Sequence, residues 1–410
     1  MFEVPFGNES LTVSLPDCEV TRAQPPGSEA VDVEVAAQRA IEQPHGPSLS
    51  TLVDPGDEVA IVVTDVTRAT PDDVLLDVLL AELERGGLDR EQVTVVIGLG
   101  LHRPMSEDEI GEALGSHADI AVNHDPEKTV TVGSVDDCDV DIFEPVARAD
   151  FVCSTGMVEP HQYAGFSGGA KTVVIGTGGE SQIRYSHGPE MLSRDGVRLG
   201  RIDDNPFRKF LDEAGDRADV EFCLNVTHGP EGILGASAGR PRAVVEELAE
   251  KVRAGRSVPI SDTYDAVVAG VSAPKDANLY QATRAPTYVT LGPFNPLREG
   301  GQVVVPARLT EGAGGGAGDR RFFEWLSEAT DPHELYERMR EGYEPGAQRA
   351  LVVARMLRDH GVTITNSECP DLVEECLMQA ADSVGAAIAP GSDVLVVPDA
   401  LNTLLVEDEN

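Results

Sequence analysis

From Glu58 onward, short uninterrupted apolar runs alternate with polar loops and helix-period segments, and this alternation restricts the fold more than any other feature of the chain. Glu58-Val59-Ala60-Ile61-Val62-Val63-Thr64 ends in Asp65-Val66-Thr67-Arg68, and after Pro71-Asp72-Asp73 a helical pattern runs from Val74 to Arg85. Gln92 to Gly98 repeats the apolar run, its loop holds His102-Arg103-Pro104, and Ser106-Glu107-Asp108-Glu109 opens the next helix as a capping box. A third run, Phe151 to Ser154, leads into a glycine-rich stretch from Gly156 to Gly179. Runs that are apolar on both faces suit parallel strands covered by helices. The sequence therefore predicts an α/β protein with mostly parallel sheets. In such sheets ligands collect at the carboxyl ends of the strands, where the polar residues of this chain fall.

With 410 residues the chain exceeds what one ordinary core organises, so two α/β domains are expected. Strand patterns recur at Asp265 to Val271, Gln302 to Pro306, Thr363 to Thr365 and Val394 to Val397, separated by helical patterns over 319–328, 332–340 and 346–359. This reading gives a catalytic, cofactor-binding domain over 1–260, a substrate-side domain over 261–395 and a tail over 396–410 that packs back on the first domain. The active site is expected in the cleft between the domains. Glu311 to Gly318 is rich in glycine but lacks the Lys and Ser or Thr of a phosphate-binding loop, so it reads as a flexible connection.

Acidic residues number 71 against 32 basic ones, a net charge of −39. Phosphate backbones and anionic membrane surfaces are bound through Lys and Arg, so nucleic acid and membranes are excluded as partners. Only five of the basic residues are Lys, and the acid is spread along the whole chain. That is the pattern of a salt-adapted protein, because at molar salt the Debye length of about 3 Å screens self-repulsion. No stretch approaches the roughly 18 apolar residues of a membrane span, and the N-terminus carries no signal-peptide pattern, so a cytoplasmic location is expected. The six cysteines are scattered without zinc-site spacing and read as small, reduced, buried side chains.

The densest chemistry lies in Pro160-His161-Gln162-Tyr163-Ala164-Gly165-Phe166-Ser167-Gly168-Gly169-Ala170-Lys171, followed by His187. Backbone amides at Ser167, Gly168 and Gly169 can cup a phosphate. Lys171 can neutralise that phosphate or attack a carbon centre as a desolvated amine. His102 and His161 both follow strand ends, and with His187 they suit proton transfer or metal ligation through neutral imidazole. The other six histidines lack such company and read as structural. Arg68 can grip a carboxylate or phosphate and Asp65 can hold a ribose hydroxyl or orient a histidine, although an ordinary loop ion pair explains both equally well. Tyr280 and Arg284 share a face of a predicted helix and Gln281 lies beside it, which suits a carboxylate ligand or a plain polar surface.

These motifs together resemble the lactate racemase family, whose members use a nickel-pincer nucleotide. Asp-x-Thr-Arg at Asp65 to Arg68, Gly-Leu-His at His102, Pro-His-x-Tyr-Ala-Gly-x-Ser-Gly-Gly-x-Lys from His161 to Lys171 and the later His187 occur in the family's order, and the likeness covers nearly the whole chain. The resemblance implies a racemase or epimerase of a 2-hydroxy acid. It implies that Lys171 holds the cofactor covalently through its thioacyl group, that His187 completes the coordination of planar nickel, and that His102 and His161 exchange the substrate's hydroxyl proton. Hydride would pass from substrate C2 to the cofactor and return to either face of a 2-oxo acid. Arg68 and Gln281 correspond to residues at the carboxylate and its polar surroundings, Tyr280 borders that contact, and Asp65 supports the cofactor region. Proteins that build the cofactor would be transient partners.

Two departures bear on the substrate. Arg284 stands where the lactate enzyme has a Lys, and a planar guanidinium can grip a second carboxylate. Ala347-Gln348 stands where a Trp is expected, and the sole Trp, Trp325, lies elsewhere. Both changes point to a 2-hydroxy acid other than lactate, larger or dicarboxylic. Two other classes compete: a non-catalytic nucleotide or organic-acid binding protein on the same fold, and a Lys171-dependent enzyme without nickel.

Overall fold

Val59–Thr64 is buried along nearly its whole length and pairs in parallel with Val93–Gly98 on one side and Phe151–Met157 on the other. Ala121–Asn123 extends this sheet beyond Val93–Gly98, and Val220–Gly229 extends it beyond Phe151–Met157. Only Gly232–Gly239, at one edge, runs antiparallel to its neighbour. The computed structural model, which describes residues 1–27, 29–229 and 232–408, shows a second six-stranded sheet that is parallel throughout. There Tyr264–Ala269 lies between Leu297–Pro306 and Asp393–Val397, with Gly361–Thr365 and Gln379–Ala381 beyond the former.

Strand order in the first sheet reverses between Val59–Thr64 and Phe151–Met157. At such a switch point the two following loops diverge to opposite faces of the sheet and leave a crevice at the carboxyl ends. The diverging loops carry Asp65 to Arg68 and Glu159 to His161. A continuous buried cluster runs from Ala60 and Val62 in this sheet to Val267 and Val303 in the second, so the two units share packing. Among the described residues no helix is long and apolar enough to cross a membrane, and all six cysteines are free thiols.

The apolar runs at 58–64, 92–98, 265–271 and 394–397 are strands, and the helical patterns form Asp72–Arg85, Ala317–Ser327, Pro332–Glu341 and Gln348–Leu357. Segment ends are where the structure departs from the sequence reading. The hairpin Phe2–Phe6 with Glu9–Val13 packs Val4 and Val13 against Val268, Val304 and Val396 of the second sheet, and Glu19–Arg22 adds an edge strand beside Asp393–Val397. The first 22 residues thus lie with the second unit, on the far side of a boundary near 260. They carry no helix that would tie them into a βαβ unit, so nothing local says which sheet edge they join. At the other end Leu404–Glu407 pairs in parallel with Ser257–Ile260, and Leu404 packs with Val158, Phe166 and Leu199.

One predicted helix is broken. Leu279–Ala282 and Arg284–Thr290 are separate pieces meeting at Thr283. Pro286 has no N–H for the carbonyl of Ala282, so one continuous helix cannot pass through this point. The glycine-rich segment at 311–318 also differs from a free connection. Its Gly316 amide is capped by Asp319 Oδ2 at 2.8 Å, and Ala317 and Gly318 stand in the wall of the cleft described next.

Candidate active site in the cleft

A cleft of about 810 Å³ opens at the switch point of the first sheet and is closed on its other side by residues of the second unit. Asp65, Arg68, His102, His161, Ser167, Gly168, Lys171, His187 and Tyr280 all line it. Gly169, Gln281 and Arg284 do not. The Gly169 amide is turned inward to Asn225 Oδ1 at 2.7 Å. Gln281 follows Tyr280 in the same short helix and so points about 100° away from it, while Arg284 opens a separate helical piece beyond Thr283.

The three histidines are held in defined tautomers by their neighbours, and the hydrogen positions follow from these contacts. His102 donates from Nδ1 to Asp65 Oδ2 at 2.6 Å, so its Nε2 carries a free lone pair. Burial works against charge on Asp65, but hydrogen bonds from His102 and Thr67 outweigh it and hold the carboxyl below its usual range. His161 is wired the opposite way. Its Nδ1 accepts the backbone N–H groups of Tyr163 and Ala164 at 3.3 and 3.1 Å, which leaves the proton on Nε2. Burial, and then the charge on Lys171, keeps His161 neutral well below the ordinary histidine range. His187 caps the helix Glu180–Ser186, and its Nδ1 faces the Ile183 carbonyl at 3.2 Å. Ser186 Oγ lies 3.0 Å from the same nitrogen, and because the Ile183 carbonyl can only accept, its contact puts the proton on Nδ1 and leaves Nε2 bare, the state of a metal-ligating imidazole. Burial, with Lys171 adding to it, pulls His187 down to about 4.

Lys171 opens the short helix Lys171–Gly176. Burial first, and then the positive charges of Arg68 and Arg208, lower its ammonium to about 7. A large part of this amine is therefore unprotonated and nucleophilic near neutral pH. Arg68 forms an ion pair with Glu159 at 2.5 Å, which fixes its guanidinium at the mouth of the site.

Two of the three amides expected to cup a phosphate are spent inside the protein: Ser167 N–H on the Glu159 carbonyl at 2.9 Å and Gly169 N–H on Asn225. The small antiparallel bridge between Pro160–His161 and Gly165–Phe166 brings Ser167 back onto Glu159, while Asn225 of strand Val220–Gly229 takes the Gly169 amide. Ser167 Oγ likewise donates to the Met157 carbonyl at 2.6 Å and braces the strand end. Gly168 keeps its importance for a steric reason. At φ +78°, a Cβ there would stand 2.6 Å from Val158 Cγ2 and 2.7 Å from Asn225 Oδ1.

Several residues important to this geometry carried no local signal. Glu159, Asn225 and Arg208 come from the first unit, and Arg208 Nε donates to the Ala164 carbonyl at 3.4 Å. From the second unit, Tyr343 donates to the His187 carbonyl at 2.5 Å and Arg349 donates to Gln162 Oε1 at 2.7 Å, next to His161. Gln348 does line the cleft at the position expected for a Trp, while Trp325 lies outside that lining with Arg338 stacked on it at 4.7 Å.

Fold and cleft define a two-sheet α/β enzyme whose site combines a near-neutral amine, two imidazoles kept neutral by burial and a third imidazole bonded to a carboxylate. Two family models match the chain, the lactate racemase N-terminal domain over residues 6–200 and the lactate racemase C-terminal domain over 261–406. The chain belongs to the lactate racemase family, and is an isomerase. It is 26% identical to a lactate racemase of Thermoanaerobacterium thermosaccharolyticum, with 99% of both chains covered. It is 27% identical to a lactate racemase of Lactiplantibacillus plantarum over 90% of each. The solved apoprotein structure of the T. thermosaccharolyticum enzyme superposes with a TM-score of 0.86 over 99% of both chains, at 26% identity. A protein of Thermotoga maritima shares the fold, with a TM-score of 0.67 over 93% of this chain and 100% of that one, at 17% identity.

Proposed function

We propose that the chain racemises or epimerises a 2-hydroxy acid, with a nickel-pincer nucleotide held on Lys171 and ligated by His187. The observation that carries this reading is the set of protonation states in the cleft: a Lys lowered to about 7 beside a His whose Nε2 is bare. Both suit the group. A thioacyl linkage needs a neutral amine, and nickel accepts neutral imidazole. His187 would hold the metal of the bound group through its Nε2, and among the described residues no three His, Cys, Asp or Glu side chains are grouped to hold a metal.

When bound, that group supplies a hydride acceptor for the substrate's C2. The chain does the rest. His102 Nε2 accepts the hydroxyl proton of one enantiomer, and Asp65 stabilises the imidazolium that forms. His161 donates from Nε2 to the same oxygen, and for the opposite enantiomer the two exchange roles. That exchange requires His161 to move its proton to Nδ1, loosening the bonds from the Tyr163 and Ala164 amides. Arg68 orients the carboxylate, and Tyr280 borders it. In this reading residues 1–260 carry the cofactor and residues 261–395 close over the substrate. The host is a salt-adapted cell whose cofactor-building proteins load the chain in the cytoplasm.

The test is intact mass and nickel content on protein purified anaerobically in molar salt from a host that makes the cofactor. A nucleotide-sized adduct on Lys171 with about one nickel per chain is expected for a single covalently held site. Lys171→Ala abolishes the adduct. Unmodified, nickel-free wild-type protein under the same conditions would turn the reading toward a binding protein.

A further inference from the structure

The groups that fix His161 in its resting form lie outside the cleft. The Tyr163 and Ala164 amides that point at its Nδ1 belong to a turn whose carbonyls are all taken from behind. Asn205 Nδ2 donates to the Tyr163 carbonyl at 2.8 Å, Arg208 Nε to that of Ala164 at 3.4 Å, the Gly200 N–H to that of Gly165 at 3.0 Å and Arg208 Nη2 to that of Phe166. Asn205 and Arg208 are each 2% exposed, and neither lines the cleft. Gly165, at φ +75°, lies so near the neighbouring chain that a Cβ there would collide with the Arg201 carbonyl. The turn has no slack.

Asn205 acts on His161 most directly. The Tyr163 C=O and the Ala164 N–H are the two ends of one planar peptide group, so Asn205 grips at one end the unit whose other end donates to the imidazole. A donor on that carbonyl also polarises the N–H opposite. Asn205 is itself fixed as the cap of the helix Pro206–Arg217: its Oδ1 accepts the Phe207 and Arg208 N–H groups at 3.0 and 3.2 Å, and its Nδ2 also reaches the Arg201 carbonyl at 2.9 Å. With two donors on Oδ1 and two acceptors on Nδ2, the side-chain amide cannot turn over. A proton on His161 Nδ1 would then face the two backbone N–H groups, and buried donors would meet without an acceptor.

The two enantiomers of a 2-hydroxy acid make different demands on this arrangement. One gives its hydroxyl proton to His102 while His161 donates from Nε2, as it does at rest. The other turns its hydroxyl to His161 and needs the His161 proton on Nδ1. We propose that Asn205 is a positioning residue that holds His161 protonated on Nε2 and so sets the resting enzyme for one enantiomer, the one whose hydroxyl faces His102. The preset handedness rests on the racemase reading, whereas the control of the tautomer does not.

The first measurement needs no cofactor. Near pH 8, where imidazoles are neutral, nitrogen NMR of histidine-labelled, unloaded protein in molar salt distinguishes protonated from bare ring nitrogens, and His161→Gln identifies the His161 signals by their loss. Wild type is expected to carry the His161 proton on Nε2 alone. Asn205→Ser keeps a capping oxygen for the helix but is too short to reach the Tyr163 carbonyl, and should leave His161 a mixture of both forms. His102, held by Asp65, should keep its proton on Nδ1. Asn205→Asp, which keeps the cap and turns an oxygen toward that carbonyl, should act in the same way. A wild-type His161 protonated on Nδ1, an unmixed Nε2 form in both variants, or variants that disturb His102 as much as His161 overturn the proposal. The second measurement is the rate of 2-oxo acid formation from each enantiomer of lactate in a single turnover of loaded enzyme. The two rates should differ by about 10-fold or more in wild type, and Asn205→Ser should shrink their ratio by about as much, the scale of a buried hydrogen bond left unmade. General damage lowers both rates and leaves the ratio in place. Equal wild-type rates overturn the preset handedness. A protein that takes up no cofactor, yet keeps the His161 proton on Nε2 through Asn205, retains the positioning role and loses only the racemase reading.

Discussion

His102 and Asp65, 37 positions apart in sequence, meet at 2.6 Å, with the imidazole Nδ1 donating to a carboxylate that is 7% exposed. Asp65 also accepts the Thr67 N–H and hydroxyl on its other oxygen, at 3.1 and 2.6 Å, so it cannot turn away from the histidine. The pair sets which nitrogen of His102 is available to substrate. Asp65→Asn keeps the shape but offers an amide N–H to Nδ1, which moves the histidine's proton to Nε2. Turnover should fall by about 100-fold or more, as when an orienting carboxylate is lost beside a catalytic histidine. Steady-state kinetics of the loaded variant check this, and activity within about threefold of wild type would remove His102 from the base role.

The amine of Lys171 should be reactive at unusually low pH. Its folded value of about 7 lies below the ordinary 10.5, so the neutral form predominates from about 7 upward. Acylation of unloaded protein by a small thioester or anhydride, read by peptide mass spectrometry, should show a midpoint near 7 at Lys171, well below that of the lysine in a short unstructured model peptide acylated alongside. Equal midpoints would show that the cleft does not desolvate Lys171.

Asp72 makes a separate prediction about stability. It is fully enclosed, accepts the hydroxyls of Thr64 and Thr155, and burial pushes its carboxyl up to about 7. Its folded value lies above its unfolded one of 3.8, so the folded state holds more protons between these values and stability falls as pH rises through that window. Asp72→Asn keeps an acceptor for Thr155 without the buried charge. The variant should melt higher than wild type at pH 8 and lose its advantage at pH 5. Thermal unfolding at the two pH values, in one salt concentration, decides it.

The net charge of −39 predicts that the protein is a salt-dependent fold. Raising the salt from about 0.1 to 1 M shortens the Debye length from about 10 to 3 Å and should raise the melting temperature. Circular dichroism across a potassium chloride series reads this directly. A melting temperature flat in salt would show that the excess acid does not strain the fold.

Asp65, Arg68, His102 and His161 were legible because each follows a strand end that can be read from a short apolar run, and Lys171 and His187 because they begin one short helix and end the next after the glycine-rich turn. Gln281 and Arg284 do not line the cleft with Tyr280, because Gln281 occupies the next position round the same short helix and Arg284 lies beyond the break that Pro286 imposes. The amides at Ser167 and Gly169 were misread because their acceptors, Glu159 and Asn225, come from a neighbouring turn and a distant strand. Arg349 and Tyr343 had no signal at all. On an amphipathic helix and a loop they look like surface residues, and only packing between the two units aims them at Gln162 and His187. The edge strand Glu19–Arg22 was lost for the same reason, because its partner lies more than 370 residues away.

That edge strand bears on how the molecule is made. Glu19–Arg22 is synthesised well before its one neighbour in the sheet among the described residues, Asp393–Val397, more than 370 positions later, and Ser257–Ile260 waits in the same way for Leu404–Glu407. Non-local pairings of this kind are slow to form. The second sheet therefore gains this edge strand only once Asp393–Val397 has been made. Cutting the gene at the apparent boundary would yield two fragments, each missing a strand that the other encodes.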